Sequence, residues 1–154
     1  MKPYLIYLII LLNPLISFGQ QKQAPELSKP SDIKVIKNFI QDLANEEIAL
    51  DVILSKYVVI EDGTDELYDY LDVSLQEIRL NLMSKNINQI QYKNYRELPK
   101  KEVRDIDPED LALENMYFLY HKDRLVTSIY VENNKIYSFT LVSKGENMAH
   151  FVLY

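Results

Sequence analysis

Cysteine and tryptophan are absent from the 154-residue chain, and glycine occurs only three times and histidine twice. Without cysteine there is no disulfide framework, no thiolate chemistry and no lipoprotein-type anchor. Three glycines leave no Gly-x-Gly-x-x-Gly, no Walker loop and no Gly-x-Ser-x-Gly elbow, so phosphate-cradling loops and a hydrolase elbow are not expected. Two histidines, His121 and His150, stand far apart with no His-x-x-x-His spacing, so no metal site is expected and both read as structural or surface groups. Basic residues are in deficit, 17 Lys and Arg against 23 Asp and Glu, a formal net charge of −6. A chain of that sign repels phosphate backbones, which argues against nucleic acid as a partner.

No apolar run reaches the roughly 20 residues a spanning helix needs. The first nineteen residues carry a different signal. Met1-Lys2 is a short positive start, Tyr4 to Leu12 is apolar, Asn13-Pro14 breaks the run, and Ser17-Phe18-Gly19 ends small-x-small. That is the pattern of a secretory signal peptide over 1–19, cut between Gly19 and Gln20, and it predicts export from a bacterium to the periplasm or the medium with no stable membrane span after cleavage. The remaining part, about 135 residues, is the size of one domain and can bury a core without staples.

Residues 20–30, bracketed by Pro25 and Pro30, are polar and aperiodic and read as a disordered tether. A single α+β domain is expected over 31–154. Ser31 is the expected N-cap of a helix whose apolar stripe is Ile33, Ile36, Ile40 and Leu43. A second short helix, or a continuation of the first, is expected over Ile48 to Leu54, then a brief β-prone run, Tyr57 to Ile60. Leu67, Leu71, Leu75, Ile78 and Leu82 predict a third helix over Asp65 to Lys85, closed by a left-handed Asn86. Ile90 and Tyr92 read as a strand, and Pro99 to Glu114 as a charged linker.

Four β-prone runs follow: Met116 to Tyr120, Leu125 to Val131, Ile136 to Val142 and Met148 to Leu153. The spacers between them are short, so the strands must run antiparallel as a meander, with Asn133-Asn134 suited to a two-residue turn. N-terminal helices packed on a curved C-terminal antiparallel meander is thus the expected architecture. Tyr130, Phe139, Leu141, Phe151 and Leu153 are expected to face the helices. The opposite face would hold Leu125, Ile129, Val131, Ile136 and Val142 among Thr127, Ser138 and Thr140. A face half apolar on the solvent side predicts either a cavity or a homodimer paired through the sheet.

The helix Ile33 to Leu43, the segment Ile53-Leu54-Ser55-Lys56-Tyr57-Val58 and the terminal meander together resemble, in element order, the NTF2-like (cystatin-like) α+β cone superfamily. That resemblance implies a pocket at the open end of a cone and, in many members, dimers through the sheet. It implies no particular activity, since its members include enzymes, transport adaptors and binding modules. Enzymes of the group place Asp, His or Tyr inside the cone, and no such set is matched here.

Asp105, Asp107 and Glu109 occupy the first three ligand offsets of a calcium loop, but Asp110 replaces its glycine and Met116 its closing glutamate, so a solvated loop is the better reading. Tyrosine is the abundant aromatic, twelve in all. Tyr92, Tyr117, Tyr120, Tyr130 and Tyr137 fall in or near expected strands, where an apolar ring with one polar tip suits a pocket wall. These five are the expected ligand-lining residues; no catalytic residue and no cofactor are assigned. The chain therefore reads as an exported, non-catalytic binding module for an apolar small molecule or a protein partner. Two alternatives stand beside it: an isomerase- or cyclase-like enzyme using Asp51, Asp69 or Asp72 as a buried acid, and an acidic inhibitor or immunity-type protein facing a basic enzyme.

Overall fold

The structure is a computed structural model and describes residues 28–154. The expected signal peptide, its cleavage point and the tether up to residue 27 lie outside the described residues. Helices come first: α1 (Pro30–Ala44), α2 (Leu50–Tyr57) and α3 (Asp65–Met83). They are followed by β1 (Ile90–Asn94), a single helical turn α4 (Lys100–Val103), and β2 (Met116–His121), β3 (Arg124–Glu132), β4 (Lys135–Ser138), β5 (Leu141–Gly145) and β6 (Met148–Phe151). The layout is α+β, as the order of sequence patterns predicts.

α1 starts two residues earlier than an N-cap at Ser31 implies. Lys29 is its N-cap and Pro30 its first residue, where a missing N–H costs nothing because that donor has no intrahelical acceptor. The end of the expected tether is thereby tied down. Ser28 Oγ donates to Glu97 at 3.0 Å, and Lys29 Nζ donates to Asn115 Oδ1 at 2.7 Å. α3 behaves as its stripe predicts, with Thr64 Oγ1 accepting from the Leu67 N–H at 3.2 Å. Asn86, however, is not left-handed: at φ −80 it caps a following 3-10 turn through its side chain. The Tyr57–Ile60 run is not a strand either, because α2 continues through Tyr57. Only Val58 makes a bridge, parallel to Ile136 of β4.

β1 to β4 form one antiparallel sheet in that order, and β5 and β6 form a separate hairpin. The run expected as one strand, Ile136 to Val142, is broken at Phe139-Thr140. There Ser138 Oγ, Thr140 and the Tyr154 hydroxyl take over the backbone and side-chain hydrogen bonds. Asn133 and Asn134, at φ 50 and 60, make the tight turn between β3 and β4.

The two sheet faces are the reverse of the expectation for most positions. Ile129, Val131 and Ile136 pack with Ile36, Phe39, Leu43, Leu71 and Leu75 of the helices, while Tyr130, Leu141 and Phe151 lie on the far side. Phe139 does meet the helices, and Leu153 is exposed. A period of two fixes which residues share a face but not which face meets the helices. The far face is covered by the chain itself. Met116, Phe118, Tyr130 and Phe151 pack with Leu98 and Val103, and Ile106, Leu111 and Leu113 close over them. The presumed linker after Pro99 is therefore a lid on the second core. It is held by a parallel bridge from Ile106 to Ala149 and by the Asp107 N–H donating to the Ala149 carbonyl at 2.8 Å.

Candidate functional site

Among the described residues β1 is an edge strand, with β2 on one side and no strand on the other. Half of an edge strand's backbone groups point away from the sheet and stand ready to pair. Beside β1 runs α1, whose core face (Ile36, Phe39, Ile40, Leu43) is committed to the sheet. Its adjoining flank carries Lys34, Lys37 and Gln41. Between the two elements lies a groove. Its inner part, about 270 Å³, is lined by Lys37, Ile40, Gln41, Ile87, Asn88, Ile90 and Tyr92. Lys37 and Gln41 also line its continuation, about 550 Å³, which runs past Ile33, Lys34 and Asn38 to Ser28 and Pro30.

The floor is aliphatic and the rim is basic and amidic. Lys37 Nζ stands 5.5 Å from the centroid of the Tyr92 ring, a cation–π arrangement. Burial pushes the Tyr92 phenol above its ordinary value, so its hydroxyl stays protonated. Among the described residues neither Lys34 nor Lys37 has a carboxylate within ion-pair reach. Two unpaired cations one helical turn apart, in an acidic chain, give this groove a local sign opposite to that of the whole molecule.

Of the five tyrosines singled out from the sequence, only Tyr92 lines this groove, and the five do not converge on one site. Tyr117 is fully buried beneath the N-terminal turn of α1. Its hydroxyl donates to Asp32 Oδ2 at 3.0 Å and accepts from the Lys29 N–H at 3.2 Å. Burial first, and then the Asp32 charge, raise its pKa well above the ordinary value. Tyr130 is buried on the far face, its hydroxyl accepting from Asn115 Nδ2 at 3.4 Å. Tyr120 is half-buried, donates to Glu102 Oε2 at 3.3 Å and lies under Lys93, 5.1 Å from its ring centroid. Tyr137 borders a separate hollow with Leu67, Leu153, Glu61, Asp62 and Glu132.

Asp51, Asp69 and Asp72 are all exposed on helix surfaces, and none of them is enclosed in the fold. Among the described residues the buried carboxylate is Asp32, which sequence reasoning passed over. It sits in the first turn of α1, where the helix dipole favours its charge, and it staples that turn to β2 through Tyr117. Arg79 was also missed. Only 8% exposed, it donates to the Leu43 carbonyl at 2.9 Å and the Ile48 carbonyl at 2.6 Å. Its spacing after Leu71 and Leu75, eight and four residues on, was the available signal that it faces inward.

The acidic run 105–110 is engaged locally. Lys144 reaches both Asp107 and Glu109, and His150 Nδ1 lies 3.0 Å from Glu109 Oε1 at an angle outside a hydrogen bond. Among the described residues no group of three or more His, Asp or Glu side chains is placed to hold a metal ion. Comparison with known proteins adds no relative: no family model, no curated protein and no solved structure matches this chain.

Proposed function

We propose that this protein is an exported, non-catalytic binding module, and that it captures an extended, acidic-and-apolar segment of a protein partner in the groove between α1 and β1. The observation that carries this reading is the open edge of β1 beside an isoleucine-floored groove rimmed by Lys34 and Lys37. A peptide laid along such an edge gains main-chain hydrogen bonds. Its alternate side chains can then enter pockets on one side, which here are Ile40, Ile87 and Ile90. Unpaired ammonium groups supply sign complementarity to carboxylates on that segment. Export rests on the leader pattern of residues 1–19, and kinship with the NTF2-like superfamily rests on the order of helices before sheet. An apolar small molecule is the second reading, favoured by the same aliphatic floor. A homodimer paired along the β1 edge would use the same unpaired backbone groups.

The test is an NMR titration of the purified protein with synthetic heptapeptides alternating Glu with Val, Ile or Tyr. Amide shifts confined to β1 and the Lys34–Gln41 flank, with affinity reduced about tenfold in Lys37→Glu, are expected for one charge reversal at a docking rim. Lys37 is exposed, so this variant keeps the fold. Absence of binding at millimolar peptide, or equal affinity in the variant, would sink the proposal.

A further inference from the structure

A second hollow lies where α3 ends against the turn joining β2 and β3. It measures about 480 Å³ and is lined by Ser84, Lys85, His121, Lys122, Asp123 and Arg124. Four of those six side chains are cationic or can become so, in a chain with an excess of acids. Antiparallel pairing sets His121 opposite Arg124, so both side chains fall on the same face of the sheet end, toward α3.

The donors differ in how far they are already used. Lys85 Nζ closes the last turn of α3, donating to the Asn81 carbonyl at 2.7 Å, which neutralises the negative end of that helix. Lys122 and Arg124 have neither a carboxylate within ion-pair reach nor a side-chain hydrogen bond among the described residues, even though Asp123 lies between them. His121 Nε2 is shielded from solvent and has no hydrogen-bond partner among the described residues. A shielded ring nitrogen with nothing to bond to is costly unless something completes it. Lys122 also holds φ 57, a left-handed backbone that glycine would adopt more cheaply, so its side chain is presented at some conformational cost.

We propose that this hollow is a binding site for a tetrahedral oxyanion, a phosphate or sulfate group carried by a small molecule. The Arg124 guanidinium offers the planar fork that matches two oxygens of such a group, Lys122 supplies a point charge to a third, and the His121 ring forms the wall behind them. A planar carboxylate has two oxygens and leaves one of these donors unused. Asp123 at the rim excludes a second anionic group beside the first. The site stands on residues other than those of the β1 groove and does not depend on that reading.

The experiment is a titration of the purified protein with inorganic phosphate and with glycerol 3-phosphate, followed on the His121 ring and on the Lys122 and Arg124 amides. Saturable shifts that sodium chloride at matched ionic strength does not reproduce are expected. Affinity should fall by about tenfold or more in Lys122→Gln/Arg124→Gln, and by less in His121→Phe, as loss of charge-assisted donors requires. Lys122 and Arg124 are exposed, and unchanged circular dichroism verifies the fold of the double variant. Shifts that follow ionic strength alone, or equal affinity in the double variant, overturn the proposal. Competition with vesicles containing phosphatidic acid separates the sources. Displacement of phosphate at a lower headgroup concentration than glycerol 3-phosphate requires assigns the group to a lipid, and the reverse order assigns it to a soluble ester.

Discussion

Replacing Arg79 with methionine should destabilise the fold by about 3 kcal/mol, although the change removes a buried charge. Its guanidinium donates to the carbonyls of Leu43, in the last turn of α1, and Ile48, in the connection to α2. Each hydrogen bond from a charged donor is worth about 1.5–3 kcal/mol, and the charge at a helix C-terminus adds up to about 1 kcal/mol. Against these stands the cost of desolvating the guanidinium, several kcal/mol for an ion without a counter-charge, which methionine would relieve. The balance stays unfavourable because both carbonyls would lose their donor, the Leu43 carbonyl in a buried setting. Methionine keeps the packing of the aliphatic stem, so the loss measures the polar contacts. The assay is urea unfolding followed by circular dichroism, with a thermal midpoint lowered by roughly 10 °C for a domain of this size. Arg79→Lys should fall between, since one ammonium cannot serve both carbonyls in the guanidinium's geometry. A methionine variant within about 0.5 kcal/mol of the parent, or a lysine variant equal to it, would refute the claim that Arg79 joins the end of α1 to the α1–α2 connection.

Two further outcomes follow from the turn and the charge pairs. Asn134 holds φ 60. Asn134→Gly should therefore leave stability equal or raise it by about 0.5 kcal/mol, whereas Asn134→Val should lower it by about 1–2 kcal/mol; a valine variant of parental stability would contradict the turn. Lys56 and Tyr57 hold the Asp42 carboxyl below its ordinary value, Lys144 does so for Asp107, and His150 with Lys144 does so for Glu109. A carboxyl depressed on folding stabilises above its unfolded pKa, near about 4, and loses that contribution as pH falls through the folded value. The Lys144 ammonium is raised by Asp107, so its share is present at neutral pH and is lost as pH rises through its folded value. Unfolding free energy should thus decline below pH ~5, with a shallower slope in Lys144→Met; an unchanged slope would mean that the Lys144 pairs with Asp107 and Glu109 contribute nothing.

Much of the helical layer is legible from residue spacing, because burial on one side of a helix writes a period into the sequence that needs no knowledge of the partner. Leu71, Leu75 and Leu82 announce α3. The Asn133-Asn134 turn is equally local. The groove is less so. Tyr92 was within reach as a strand aromatic, but Lys34 and Lys37 read as ordinary solvent-face lysines until β1 is placed beside them. The same holds for the oxyanion hollow, whose His121 has no sequence neighbour that would mark it as unpartnered.

Local physics in the sequence determined the class, the helix faces and the antiparallel order of the last strands. Each of these depends on periods and turns of a few residues. Tertiary structure alone decided which sheet face meets the helices, since alternation is symmetric between the two faces. It also decided that residues after Pro99 cover the other face, that Asp32, Arg79 and Tyr117 are buried, and that β1 is left as an open edge. Those outcomes depend on contacts across dozens of residues, such as the 85-residue separation of Asp32 and Tyr117, for which neither partner's neighbours carry a signal.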